Sequence, residues 1–194
     1  PRGERLTART RAFELYSIPE ARIFDRRLNR LEIPTSRGPL VLYPSHLAQP
    51  FASLSRRFGA LPVARGLLFD MDNPLGNQVL SLLRMANPSR DEDALLFGDL
   101  NFPPSVGRAG LGMRTPYYEE FLAQEWTDAF GGSGPATFPA LAAPEASQAI
   151  YQLHPFQLDH VFQTGNARVR ALRSPRLRGS DHYPVFFIAR VSGR

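Results

Sequence analysis

Apolar and polar residues succeed one another along this chain in short blocks that predict strands and helices in alternation. Leu31-Glu32-Ile33 and Leu40-Val41-Leu42-Tyr43 read as two strands, with Ser36-Arg37-Gly38 as the hairpin turn between them. Pro44-Ser45-His46 ends the second strand, and Pro50 to Phe58, with Gly59 after it, reads as a short helix. Gln78 to Met85 is helical, with Val79, Leu82 and Leu83 on one side, and Asn87-Pro88-Ser89 stops it. Asp91-Glu92-Asp93 reads as a solvated turn. Ala94-Leu95-Leu96-Phe97 is wholly apolar, which suits a strand buried on both faces.

Gly98 breaks that run, and Asp99 and Asn101 follow at once. Thr115 reads as an N-cap with Pro116 as the first helical residue. Tyr118, Phe121, Leu122, Trp126 and Ala129 then recur at core spacing, and Gly131-Gly132 ends the predicted helix. Residues 131–152 read as loop, interrupted by Thr137-Phe138. Gln157 to Phe162 reads as a strand with Leu158, His160 and Phe162 on one face and Asp159 and Val161 on the other. Val169 to Leu172 suits a further strand, Arg173 to Gly179 a basic loop, and Val185 to Val191 an apolar closing strand. Residues 1–30 are arginine-rich, and their weak periodicity places no element firmly. The chain has no internal repeat.

With 194 residues, 43% of them hydrophobic and 21% charged, the chain is expected to fold as a single α/β domain over 1–194. The absence of cysteine excludes disulfides, thiolate metal sites and a cysteine nucleophile. No apolar run approaches the roughly 20 residues needed to span a bilayer, and no signal-peptide core follows Pro1, so a soluble chain is expected. All 23 basic residues are arginine, as GC-rich coding would produce. The net charge of +5 is compatible with a polyanionic partner but, read as spread over the whole chain, does not establish one.

Two short segments concentrate groups that could do chemistry. Asp99 and Asn101 follow a buried strand, where α/β sheets place their ligands. A carboxylate there can bind a hard cation or orient water, and an Asx turn accounts for the same residues equally well. Asp181-His182 stands between the basic loop and the closing strand, where a capped loop with a surface histidine is the alternative. A strand carboxylate at Asp159 is costly unless paired, and His182 is its expected partner. His46 ends a strand, where a lone histidine is more often structural. His154 and His160 are assigned no role. Arg173, Arg176 and Arg178 could grip phosphate from the basic loop, which could as well be merely solvated.

Taken together, these segments resemble the endonuclease/exonuclease/phosphatase superfamily, the DNase-I-like fold, over about residues 31–191. Val41-Leu42-Tyr43-Pro44-Ser45-His46-Leu47 resembles the strand ending in that family's "THL" histidine. Leu96-Phe97-Gly98-Asp99-Leu100-Asn101 resembles its "GDxN" motif. Trp126-Thr127-Asp128-Ala129, then Thr137-Phe138-Pro139, resembles the linking stretch of many bacterial members. Gln157 to Phe162 resembles its "R-[IL]-D-[YH]-[VI]" strand, and Gly179-Ser180-Asp181-His182-Tyr183-Pro184-Val185 its "SDHxPV" motif.

The resemblance implies a four-layer α/β (α+β) sandwich with mainly antiparallel sheets and a metal-dependent phosphoesterase, with phosphodiester hydrolysis of a nuclease-like kind foremost. A phosphomonoesterase, a sphingomyelinase-like lipid phosphodiesterase and a catalytically impaired binding module are the alternatives. It implies that Asp99 orients or deprotonates the attacking water and that Asn101 positions that water or a phosphate oxygen. His182, held by Asp159, would stabilise the pentacovalent phosphate, and His46 would contact the phosphate or protonate the leaving oxygen. Asp181 would sit at Mg²⁺ (or Mn²⁺), joined by Asp99, Asn101 and His182 in a two-metal description. The implied partner is a phosphate ester, with nucleic acid among the candidates.

Two features of the family's pattern have no counterpart. They are the Asn of its opening strand and the metal-binding Glu of the strand after it. Glu14 and Glu20 lack the family's context, and Gln124-Glu125 falls inside the predicted helix. The position before the strand Asp departs too, with Gln157-Leu158 where the family has Arg-Leu or Arg-Ile. The chain is therefore expected to be truncated at its N-terminus, with an open sheet edge. Residues 1–194 alone should bind Mg²⁺ weakly and turn over little, and calorimetry giving a micromolar affinity would contradict this.

Overall fold

The computed structural model describes residues 9–14, 27–47, 71–87, 92–106, 112–138, 157–175, 180 and 182–191. A six-stranded sheet forms the centre, in the order β1 (Arg9–Glu14), β2 (Arg27–Thr35), β3 (Gly38–Pro44), β4 (Asp93–Asp99), β8 (Asp159–Thr164), β7 (Thr127–Asp128). Only β3 and β4 pair in parallel, and the other neighbours are antiparallel. A two-residue ladder joins β5 (Ser105–Val106) to β6 (Met113–Arg114). A separate pair, β9 (Ala167–Arg173) and β10 (Phe186–Val191), is also antiparallel.

The apolar run of β4 explains the layering. Ala94 and Leu96 face one side, with Val41 and Tyr43 of β3 and Phe162 of β8. Two helices, α1 (Pro74–Met85) and α2 (Pro116–Ala123), cover that side through Leu75, Val79, Leu82, Leu83, Tyr118 and Phe121. Leu95 and Phe97 face the other side, with Leu40 and Leu42, and meet Ala167, Val169, Phe187, Ala189 and Val191. The fold is thus mixed α/β and mainly antiparallel, as expected. Helices, central sheet and second sheet make three layers, and the fourth is not built among the described residues. On the outward face of β10, Phe186 and Ile188 are 48% and 55% exposed.

Both helices start where capping chemistry predicts. Asn73 Oδ1 accepts from Gly76 N at 2.9 Å, and the Thr115 side chain accepts from Tyr118 N. The end of α2 corrects the sequence reading, which carried that helix to Gly131. Glu125 takes a left-handed conformation (φ 63), Trp126 N donates to Phe121 O and Glu125 N to Leu122 O, both at 3.1 Å. This is a Schellman ending with Glu where Gly is usual, and it turns Trp126 back onto the core. Thr127 and Asp128 then pair with β8.

A second correction concerns Asp93. It opens β4, is buried, and its Oδ1 accepts from Asn166 N at 2.5 Å in the turn between β8 and β9. It is therefore not part of a solvated turn. Residues 9–14, which the pattern left unplaced, pair with β2. The helix expected over 50–58 lies outside the described residues.

Gly98 permits the close approach of β4 to the chain leaving β3. Its φ is +137, and a Cβ at this position would collide with the backbone oxygen of Ser45. Gly98→Ala should therefore lower the free energy of unfolding by about 3 kcal/mol or more. A urea denaturation midpoint equal to that of the parent would refute this account of the approach.

Candidate active site

Three chain segments converge where β3 and β4 end and β8 begins. The parallel pairing of β3 and β4 brings both strands out at the same edge, and two backbone bonds carry the ladder onward. Ser45 N donates to Phe97 O and Leu47 N to Asp99 O, both at 2.9 Å. This places His46, half-exposed, with Nε2 3.3 Å from Asp99 Oδ2. Because β8 runs antiparallel to β4, its first residue, Asp159, is the register partner of Asp99. His182 comes from the segment before β10. Its Nδ1 lies 2.8 Å from Asp159 Oδ2, and its Nε2 lies 3.8 Å from Asp99 Oδ2.

The turn after β4 orients the central carboxylate. Asp99 Oδ1 accepts from Asn101 N at 3.0 Å, and Asn101 has φ 57, a left-handed conformation that Asn tolerates better than most residues. Asn101 is buried, and its Nδ2 donates to Leu47 O at 2.8 Å, tying the turn to the chain that carries His46. The Asx turn is thus present, and it coexists with a role for Asp99. It occupies Oδ1 and leaves Oδ2 facing both imidazoles.

The hydrogen bonds also set the imidazole. Asp159 can only accept when ionised, so His182 carries a proton on Nδ1 and presents Nε2 towards Asp99. Ligand atoms from Asp99, Asp159 and His182 lie within 4.8 Å of one another, close enough for a metal site of carboxylate and imidazole donors.

The structure thus gathers His46, Asp99, Asn101, Asp159 and His182 at one place. Arg173 is the last residue of β9, opposite Phe186, and so is not in a loop. Arg176, Arg178 and Asp181 lie outside the described residues. The Gln124-Glu125 pair is exposed at the end of α2. Thr137 and Phe138, which the pattern marked only as an interruption of a loop, reach the site. Thr137 is completely buried, and the Phe138 ring lies 4.9 Å from the His182 ring. The only sequence signal for them was the linking stretch, which carried no assigned role.

The sequence model described as "Endonuclease/Exonuclease/phosphatase family" matches residues 11–182. No curated protein matches the chain. Among solved structures, the chain is similar to an endonuclease/exonuclease/phosphatase from Beutenbergia cavernae DSM 12333. The TM-score is 0.63 at 20% identity, over 97% of this chain and 46% of that one. It is also similar to an endonuclease/exonuclease/phosphatase family protein from Leptotrichia buccalis C-1013-b, with TM-score 0.59 and 15% identity over 94% and 61% of the two chains. A third likeness is to a mannosyl-6-phosphatase of Bacteroides thetaiotaomicron VPI-5482, with TM-score 0.50 and 14% identity over 93% and 65%. At these identities the likeness is one of fold. The chain spans less than half the length of the first of these proteins.

His160 stands behind the site rather than in it. Its ring stacks on Phe102 and Phe162, at 4.8 Å and 5.5 Å. Its Nε2–H donates to Phe102 O at 2.7 Å, and Nδ1 faces Gln157 Nε2 at 3.4 Å. Gln157, at the position where the sequence departs from the family's Arg, is buried and serves this histidine. Burial lowers the pKa of His160 below 6.5, against the opposing influence of the Phe102 carbonyl and of Asp128, Asp159 and Asp99. The unfolded chain therefore takes up a proton on this group before the folded chain does. The stability it confers is intact above about pH 6.5 and falls, by at most about 1.4 kcal/mol per unit, as pH drops below that value. His160→Tyr should flatten this part of the stability profile. Urea midpoints at pH 7.5 and 5.5 that shift equally in parent and variant would show the assignment to be wrong.

Proposed function

Since this chain belongs to the endonuclease/exonuclease/phosphatase family, a superfamily of phosphoric ester hydrolases, we propose that it carries the site of a divalent-metal-dependent phosphodiesterase. The observation that carries this reading is the surrounding of one carboxylate. Asp99 Oδ2 lies 3.3 Å from His46 Nε2 and 3.8 Å from His182 Nε2, and Asp159 fixes the second imidazole. Phosphoryl transfer to water needs a base for the water, a donor for the departing oxygen and compensation for charge on the phosphorus.

Asp99 accepts a proton from water as the water oxygen attacks phosphorus and the opposite P–O bond breaks. His46, the more exposed imidazole, gives a proton to the leaving oxygen. His182 turns Nε2–H towards a non-bridging oxygen of the phosphate, with Asp159 stabilising the imidazolium. Asn101 holds Asp99 in register through its backbone N–H. A divalent ion would be held by Asp99 and, as the resemblance implies, by Asp181, carboxylates that suit Mg²⁺, and His182 Nε2 would join them and admit Mn²⁺ only where it carries no proton for the phosphate. Such an ion, when bound, supplies positive charge against the phosphate oxygens. Arg173, with Arg176 and Arg178 after it in sequence, would supply further positive charge for a phosphate group.

This reading predicts that Asp99→Asn in the complete protein lowers kcat for bis(p-nitrophenyl) phosphate with Mg²⁺ or Mn²⁺ by about 10³-fold. The thermal midpoint should stay within a few degrees of the parent's. Unchanged turnover would remove Asp99 from the chemistry. A parent without metal-dependent turnover on that ester, DNA, RNA, sphingomyelin or inositol phosphates would favour a non-catalytic binding module.

A further inference from the structure

We infer that Thr137 and Phe138 form a positioning clip for the Asp159–His182 pair, an assignment that rests on reading that pair as part of the hydrolytic site. Asp159 and His182 lie on separate segments, and the sheet secures them unequally. Asp159 is the first residue of β8, and backbone pairing reaches one residue further back, where Leu158 O accepts from Leu100 N at 3.0 Å. His182 precedes β10 by several residues, and its backbone N–H donates to Ser180 Oγ at 3.1 Å. The 2.8 Å bond between them therefore joins a strand end to a coil segment.

Thr137 bonds to both sides of this junction. Its Oγ1 accepts from Leu158 N and from Asp159 N, each at 3.1 Å, which fixes the backbone from which the Asp159 carboxylate projects. Its carbonyl oxygen accepts from Tyr183 N at 2.8 Å, one residue beyond His182. Phe138, 7% exposed, lays its ring 4.9 Å from the imidazole at 47°, so that the side chain of His182 has a wall beside it. One dipeptide thus holds the carboxylate's strand, the histidine's loop and the histidine's ring. A residue that merely filled space would need no hydroxyl. Thr137 is completely buried, and its oxygen is shared by two amides.

Removing that oxygen leaves one buried and one partly buried N–H group without their acceptor, and the start of β8 must shift or take in water. Small displacements matter here, because a carboxylate that orients an imidazole works only near its productive geometry. On the proposed reading His182 meets the phosphate chiefly as charge develops on it during the reaction, so the effect should fall mainly on turnover. In the complete protein, Thr137→Val should lower kcat for bis(p-nitrophenyl) phosphate about 10- to 100-fold, with KM within about twofold. Thr137→Ser, which keeps the oxygen, should restore kcat to within about threefold.

A second readout needs no turnover. The Nδ1–H of His182 bonded to Asp159 should give a downfield imidazole proton resonance, assigned by its loss in Asp159→Asn. Thr137→Val should broaden or shift this resonance, and Thr137→Ser should keep it. An unchanged resonance and unchanged kcat in folded Thr137→Val would overturn the clip, as would a folded Thr137→Ser that loses both. If Thr137→Val does not fold, Phe138→Leu decides. A shifted resonance in that variant supports the clip, and an unchanged one overturns it. A parent that shows the resonance but cleaves no ester would refute the hydrolytic reading while leaving the clip to be judged on the resonance.

Discussion

Asp99 and Asp159 face one another as register partners across β4 and β8, and neighbouring carboxylates in such positions repel. The central sheet accepts this opposition because each carboxylate is given a different set of donors. Asp99 Oδ1 takes the Asn101 amide, and Asp159 Oδ2 takes the His182 imidazole. The remaining oxygen of Asp99 is shared by two histidines. Register is what makes this work. A slip of one residue in the pairing of β4 and β8 would send Asp159 to the other side of the sheet and bring His160 out of the core. The buried stack of His160 with Phe102 and Phe162 penalises that slip, so the aromatic packing behind the site also secures the charges in front of it.

The chain reaches this arrangement through backbone devices at strand ends. Gly98 lets the chain leaving β3 come against β4, where a side chain would strike Ser45. Asn101 turns the chain through a left-handed residue, and its side chain bonds back to Leu47. Both devices bind the exit of β3 to the exit of β4, so His46 and Asp99 are held as one unit. His182 is held by other contacts, among them Asp159, the Ser180 hydroxyl, the backbone bond between Thr137 and Tyr183, and the Phe138 ring.

Much of this could be read from the sequence because it depends on local patterns. Four apolar residues before Gly98 made β4 visible, and alternation placed Asp159 and His160 on opposite faces, as found. Thr115-Pro116 marked the start of α2 correctly, but its end was hidden. Glu125 takes the left-handed conformation that Gly would have advertised, and Trp126 keeps core spacing although the helix has already stopped. Asp93 looked solvated because its partner, the amide of Asn166, is remote in sequence. Thr137 was unreadable for the same reason, since a threonine in a polar stretch says nothing about the two amides it will meet. The charge reading also changed. Arg168, Arg170, Arg173 and Arg190 are all exposed on β9 and β10, so a substantial part of the excess positive charge is local. Arg168 stands directly opposite Arg190.

That local positive charge is not what balances the carboxylates. Asp99 and Asp159 meet His46 and His182 at close range, and on the proposed reading a phosphodiester brings one more negative charge to the same place. Two imidazolium ions would offset two of the three negative charges, and one imidazolium with a divalent cation would offset all three. Two neutral imidazoles would offset none. At separations of 3–4 Å such differences are worth several kcal/mol even at an effective dielectric constant near 20. On that reading, the substrate and the carboxylates are held together only with the help of a proton or a metal ion. Asp159 directs the choice, because by occupying Nδ1 it leaves His182 a single nitrogen, facing Asp99, with which to take either.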